Sequence, residues 1–283
     1  MSALADKLRG LRRQAGVTPA PPAAVLARAP QPALPDNISQ LLGIRRRAKG
    51  TATRPSAPTS FVPPPGRLIA PGLHLCEATS AWPPEPPAFH AAFSRIDQMI
   101  DPARLVLFDT ETTGLAGGTG TRAFMIGVGD WHEGRFRERQ LLITTLAGEL
   151  AMLECFASWL RPDAVLVSYN GKSYDAPLLR TRFRLNRLAS PLEGLTHIDL
   201  LHPVRRRWRG VWENCRLATV ERQLLQVVRD DDLPGSEAPA AWLGFLRGGS
   251  AGALHRVALH NSQDLRSLGG ILFRFVVDGE GCG

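Results

Sequence analysis

The 283-residue sequence predicts an α/β sheet domain, or its α+β relative, preceded by a proline-rich basic arm. Three strand-like segments follow one another from about Leu105, helix-like and strand-like segments then alternate, and 16 of the 23 prolines lie at or before Pro87.

The elements follow in order. Stretches such as Pro19 to Pro22, Pro63 to Pro65 and Pro83 to Pro87 oppose continuous helix or central strand, so residues 1–90 are expected to form a mostly disordered or extended arm. Two short basic helices are expected within it, Ser2 to Gln14 and Asn37 to Arg47. The folded domain is expected over residues 91–283. Leu105 to Phe108 reads as a buried strand and Ala123 to Val128 as a second. Gly129 to Gly134 suits a hairpin loop leading to a third strand at Arg135 to Thr144. A helix at Gly148 to Leu160, a strand at Ala164 to Ser168 and a helix at Tyr174 to Arg187 come next. Helices are expected again at Leu217 to Leu225, Ala238 to Leu246 and Leu254 to Phe275.

Charge is unevenly distributed. Up to His90 there are 11 basic and 4 acidic residues, against 23 and 22 afterwards, so the formal charge of +8 sits mainly in the arm. Such an arm is attracted to polyanions, nucleic acid among them. The sequence has no run of eighteen apolar residues and no apolar block followed by a small-residue cleavage site, so a soluble cytoplasmic protein without a membrane partner is expected. Cys76, Cys155, Cys215 and Cys282 form no CxxC pair and are expected to be reduced thiols.

The segment Leu107-Phe108-Asp109-Thr110-Glu111-Thr112-Thr113-Gly114-Leu115 is the most informative. Residues two apart on a strand share a face, so Asp109 and Glu111 project side by side where the strand ends. Two such acids repel unless a cation compensates them, and an all-oxygen donor set suits Mg²⁺ or Mn²⁺. Asp-x-Glu alone is equally compatible with a solvated strand end. Asp175 follows the Asn170-Gly171 turn at the start of a helix, where N-terminal capping is the plain alternative. His260 and Asp264 stand four residues apart on one helical face, which also suits a local pair.

Taken in order, these motifs resemble the DEDD exonuclease superfamily of the ribonuclease H-like fold. More closely, Asp109 to Phe124 resembles the YprB-type ribonuclease H-like family. So do Asn170 to Asp175, Cys215 to Glu221, Asp231 to Gly235 and His260 to Asp264. The resemblance covers about Leu105 to Phe275 and implies a mixed central sheet flanked by helices. It implies a nuclease, a 3′ to 5′ exonuclease in particular, acting on a single-stranded DNA or RNA end. In that scheme Asp109, Glu111, Asp175 and Asp264 hold two Mg²⁺ or Mn²⁺ ions. His260 is the general base, at a place where other branches of the superfamily carry Tyr. Thr112 and Asn170, inside the matching motifs, are expected to contact nucleic acid.

Arg205, Arg207 and Trp208 are candidates for a strand track, because rings stack on bases while guanidinium groups hold phosphates. Arg180, Arg182, Arg184 and Arg187 suit either such a track or a solvated helix face. The glycine-rich Gly114 to Gly120 stretch lacks a P-loop ending and is read as a tight connection, with close backbone approach to a phosphate as the lesser alternative. Asp199 reads as an N-cap, with support of the metal shell as the lesser alternative, and Asp230-Asp231-Asp232 as turn chemistry. The rival functions are a non-catalytic nucleic-acid-binding or scaffold module, and a ribonuclease H-like endonuclease.

Overall fold

Leu105–Thr112 forms a strand whose odd and even residues serve two different cores, and that division organises the molecule. The computed structural model describes residues 62–114, 120–229 and 233–280. All of them fall in the unit Ser56–Gly283. The two helices expected in the arm, the Leu115 to Thr119 part of the glycine-rich stretch and the Asp230-Asp231-Asp232 run lie outside the described residues.

The strands are β1 (Arg67–Ala70), β2 (Leu73–Ser80), the short pair β3 (Phe89–His90) and β4 (Met99–Ile100), β5 (Leu105–Thr112), β6 (Ala123–His132), β7 (Arg135–Ile143), β8 (Val165–Ser168) and β9 (Thr196–Asp199). Seven of them form one mixed sheet in the order β1-β2-β7-β6-β5-β8-β9. The pairs from β1 to β5 are antiparallel, whereas β5-β8 and β8-β9 are parallel. The helices are α1 (Glu149–Ser158), α2 (Asp175–Leu185), α3 (Leu201–Trp208), α4 (Leu217–Val220, extended by a π-helical turn over Glu221–Leu225), α5 (Ala238–Leu246) and α6 (Gly252–Glu280).

Helices cover both sheet faces, so the central strands are apolar on both sides. Every residue of β8 is buried, as expected of a strand with parallel partners and two covered faces. Val106 and Phe108 pack with Leu153, Phe183 and Trp242, whereas Leu105 and Leu107 pack with Val204, Leu268 and Leu272. Helix α6 contributes to both cores, through Leu254 and Val257 first and Leu265 to Val276 afterwards. Its middle turn therefore arrives beside the end of β5.

The structure departs from the sequence reading at three places. Strands β1 and β2 lie inside the stretch expected to be arm, with β2 paired along its whole length to β7 from Leu73↔Ile143 to Ser80↔Phe136. The prolines flank these strands at positions 63–65, 71, 83, 84, 86 and 87, leaving the β2-β7 ladder continuous and the β1-β2 ladder with one register shift between Leu68 and Ala70. The hairpin loop shrinks to Glu133 and Gly134, both at positive φ (52° and 71°), since β6 and β7 pair as far as His132↔Arg135. Gly129 is a strand residue there because the Phe136 ring lies over it, 2.4 Å from where a Cβ would stand.

The third departure is Arg182, which belongs to neither a strand track nor a solvated face. It is buried, donating to both carboxylate oxygens of the equally buried Glu149 (2.6 and 2.7 Å), with Arg122 as a further donor to that carboxylate. The pair ties α1 to α2. Arg184 and Arg187 are exposed.

Candidate active site

The alternation of β5 sends Asp109 and Glu111 to the face that α6 crosses and Thr110 to the face covered by α2. Asp109 is met by Asn261 of α6, whose amide donates to Oδ2 at 2.8 Å. Asn261 is wholly buried and is itself fixed by Gln140 of β7, whose amide donates to it (2.9 Å) and to the Ala258 carbonyl (2.7 Å). Gly127, opposite Asp109 in the β5-β6 ladder, leaves the space that Asn261 fills.

On the other face, the Thr110 hydroxyl donates to Asp175 in the first turn of α2. The turn before α2 carries Asn170 in the left-handed region at φ 67°, which Asn tolerates. Asp199 holds that turn. Buried at the end of β9, it accepts the backbone N–H groups of Asn170 (2.7 Å), Lys172 (3.1 Å) and Leu201 (3.1 Å). The capping role read from the sequence thus extends to the loop that delivers Asp175.

Asp264 stands on α6, with Oδ2 3.7 Å from Nε2 of His260 one turn earlier. Its Oδ1 accepts from Arg229. That guanidinium also donates to Glu221 (2.8 Å from Nε) and lies 3.1 Å from Nδ1 of His260. Glu221 is buried and accepts from Ser267 as well. Gly235, in the matching Asp231 to Gly235 segment, packs with its Cα side toward His260 Nε2.

The electrostatics centre on Asp109. Burial pushes its carboxyl well above the usual carboxylate range, and repulsion from Asp264, Asp175 and Glu111 adds to that, with the Asn261 hydrogen bond working the other way. Burial likewise pushes Asp175 up to about 6 against the pull of Thr110, and raises Asp264 against the pull of Arg229 and His260. Burial disfavours charge on Arg229, but Glu221 and Asp264 outweigh it and hold the guanidinium charged.

Asp109, repelled by the buried Glu111 and the partly buried Asp175 and Asp264, makes with them an oxygen donor set that fits a hard divalent cation, whose charge relieves the repulsion. As they stand, no three His, Cys, Asp or Glu side chains among the described residues are gathered so as to hold an ion. The reason is visible in the partners. Asp109, Asp175 and Asp264 are each turned to a protein donor, namely Asn261, Thr110 and Arg229.

A cavity of about 440 Å³ opens over this region, lined by Asp109, Asp175, Thr112, Asn170, Tyr169 and the exposed Tyr174 among others. It brings together four of the residues expected to act. His260 and Asp264 lie on the α6 side, outside its lining. Arg205 belongs to a second cavity of about 350 Å³, with Arg209, Trp212, Cys215 and Arg216. Trp208 supports it, stacked on Trp212 at 4.5 Å, with the Arg207 guanidinium 5.1 Å over its ring. The Tyr169 hydroxyl donates to the Cys215 carbonyl (2.6 Å) and so joins the walls of the two cavities.

A model of the RNase_H superfamily matches residues 106–274, which include every acid described above. The chain belongs to the RNase_H superfamily. It is 38% identical over 165 residues to an uncharacterized protein, YprB, of Bacillus subtilis (strain 168), a match covering 58% of this chain and 40% of that protein. The domain is therefore a YprB-type ribonuclease H-like domain, and this chain spans well under two thirds of its relative's length. Among solved structures, it is similar to the family B DNA polymerase from the hyperthermophilic archaeon Pyrobaculum calidifontis. That likeness has 17% identity and a TM-score of 0.48, over 64% of this chain and 25% of the polymerase. Among the described residues, no helix is long and apolar enough to cross a membrane.

Sequence reasoning assigned no role to Asn261, Gln140, Thr110, Gly127, Glu221 or Arg229. Asn261 and Glu221 stand inside motifs that the resemblance singles out, and that placement was the available signal.

His197, beside the site on β9, supplies a pH handle. Its Nε2 lies 2.7 Å from the Ser168 hydroxyl, and burial, with Lys172 adding, pushes it down to about 4 from an ordinary 6.5. The unfolded chain therefore binds the extra proton between pH 6.5 and 4, and stability falls as pH drops through that window, by roughly 2–3 kcal/mol. Asp109 and Asp175 take up protons on folding and act in the opposite sense, so the informative comparison is with His197→Asn. Urea titrations are expected to show wild type losing more stability than the variant between pH 7 and pH 4. Equal losses would dismiss the assignment.

Proposed function

We propose that this chain is a metal-dependent nuclease that hydrolyses phosphodiester bonds of DNA or RNA, acting as a 3′ to 5′ exonuclease. The observation that carries the reading is the partly buried Asp109 at the end of β5, facing repulsion from Glu111 on the same strand, Asp175 on α2 and Asp264 on α6. Buried like charges are costly, and the arrangement makes sense where a cation is held and used. Divalent metals are usual in the superfamily.

In this reading Asp109, Glu111, Asp175 and Asp264 would hold two Mg²⁺ or Mn²⁺ ions. Bound there, two such ions stabilise the attacking and leaving oxygens of an in-line displacement at phosphorus. The protein's own part is positional. Asn261 orients Asp109, Thr110 orients Asp175, the Asp199-held turn sets Asn170 on the cavity wall, and the end of β5 sets Thr112 there, both to meet the sugar-phosphate backbone. His260 takes the proton of the attacking water through Nε2, as an imidazole does near neutral pH. Arg205, Arg207 and the Trp208-Trp212 stack receive the strand further from the scissile bond.

The test is cleavage of 5′-labelled single strands, duplexes and RNA by the purified chain with Mn²⁺ or Mg²⁺. A ladder of progressively shorter labelled products is expected, absent with chelator and with Asp109→Ala. Intact substrates across that panel would overturn the enzyme reading, and cutting of a circular single strand would replace exonuclease with endonuclease. For the strand track, replacing Arg205 and Arg207 together by Ala is expected to weaken single-strand binding roughly tenfold and to flatten its salt dependence by about one to two counterions. Fluorescence anisotropy over a salt series measures both, and an unchanged slope would remove these arginines from the track.

A further inference from the structure

Arg229 has no place in the hydrolytic scheme, yet it is bound to two of its members. The side chain is 12% exposed and reaches three acceptors at once. Its Nε and Nη2 engage Glu221, Nη2 also reaches Oδ1 of Asp264, and Nη1 faces Nδ1 of His260 at 3.1 Å. His260, Asp264 and Ser267 lie along one face of α6, and Ser267 donates to Glu221 from below. The charge of Arg229 thus compensates a buried glutamate and the aspartate expected to hold an ion.

Two consequences follow from the geometry. A divalent ion on Asp264 would sit beside a guanidinium already bonded to that carboxylate, and like charges at such separation repel strongly when water is excluded. A guanidinium also only donates, so Nδ1 of His260 must accept, which leaves the proton of the neutral imidazole on Nε2. In that tautomer Nε2 presents an N–H and has no lone pair with which to take a proton from water. Both the metal-holding and the proton-accepting state therefore require the guanidinium to give way.

We propose that Arg229 is a positioning residue that acts as a resident counter-ion: it latches Asp264 and the Nδ1 side of His260, and a divalent ion taking Asp264 exchanges places with it. This rests on the metal reading of the site above. The latch keeps the carboxylate side of α6 ordered without metal and sets a threshold of metal concentration for the active arrangement.

The test uses the full chain, stripped with chelator, and MnCl₂ titrated by calorimetry into wild type, Arg229→Gln and the double variant Glu221→Gln/Arg229→Gln. The double variant replaces the buried ion pair by amides and keeps the question open if the single variant fails to fold. About tenfold tighter Mn²⁺ binding than wild type is expected in whichever variants fold. A second readout needs no turnover. Long-range ¹⁵N NMR of the His260 ring is expected to show the proton on Nε2 in metal-free wild type, moving toward Nδ1 when Mg²⁺ is added and already redistributed in the metal-free double variant. Wild type that binds Mn²⁺ with variants that bind it equally or more weakly would overturn the latch and leave the metal reading standing. Absence of Mn²⁺ binding in every protein would overturn both.

Discussion

Asp109→Asn is expected to melt at a higher temperature than wild type in chelator at pH 8, and to retain roughly a thousandth or less of wild-type phosphodiesterase activity. The two effects have one cause. Asp109 is partly buried and repelled by three other carboxylates, so its negative charge is unfavourable in the absence of a compensating cation. An amide keeps an oxygen to accept from Asn261 and removes a charge that desolvation and repulsion disfavour, a gain on the order of 1–3 kcal/mol. On the proposed metal reading, removing this carboxylate would forfeit several kcal/mol of transition-state stabilisation, and each 1.36 kcal/mol is about tenfold in rate. Excess Mn²⁺ is expected to reverse the order of melting, because ligand at about 100 times its Kd adds roughly 2.7 kcal/mol to the protein that binds it. Differential scanning calorimetry with and without metal decides the matter. A variant that melts lower than wild type in chelator would mean that the cluster is not under electrostatic strain.

Gly127→Ala is expected to destabilise the fold by about 2–3 kcal/mol and to slow cleavage roughly a hundredfold, from a position that touches no substrate. A Cβ there would stand 2.1 Å from Oδ1 and 2.9 Å from Cγ of Asn261. Asn261 has nowhere to retreat, since Gln140 holds that same oxygen and is itself anchored to the Ala258 carbonyl. The new methyl group must therefore push α6 away from β6 or turn the amide off Asp109. Urea denaturation and initial rates read the two effects separately. Combining the substitution with Asn261→Ala is expected to cost about 1 kcal/mol less than the sum of the single changes, because the clash disappears with the amide. Additive costs would show that Asn261 is not what the methyl group strikes.

The parts of the fold that were legible in the sequence are those whose burial is recorded locally. Leu105 to Phe108 and Ala164 to Val167 are apolar on both faces, and the structure shows β5 and β8 as interior strands, each paired on both sides. Strands β1 and β2 were not legible, because β2 pairs with β7 some sixty residues later, β1 pairs with β2 alone, and flanking prolines mask the composition of both. The same distinction holds at the candidate site. Asp109, Glu111, Asp175 and Asp264 could be picked out by order and spacing, and in the structure the last three act electrostatically on Asp109. The groups that hold them could not be picked out. Asn261, Gln140 and Arg229 acquire their importance from neighbours 121 and 152 residues away in the case of Asn261, and 35 residues away for Arg229 and Asp264. Arg182 misled for the same reason, since only the return of Glu149 to the same place distinguishes a buried ion pair from a solvated arginine.

The 152-residue separation of Asp109 from Asn261 also bears on when the site comes into being. On a ribosome, the acidic strand emerges long before the helix that supplies its amide partner and Asp264. Closing so long a loop is an entropically expensive step that local pairing of β5, β6 and β7 does not need. The nascent sheet can therefore form while its acids stand apart, and nuclease competence is expected to appear abruptly as α6 docks.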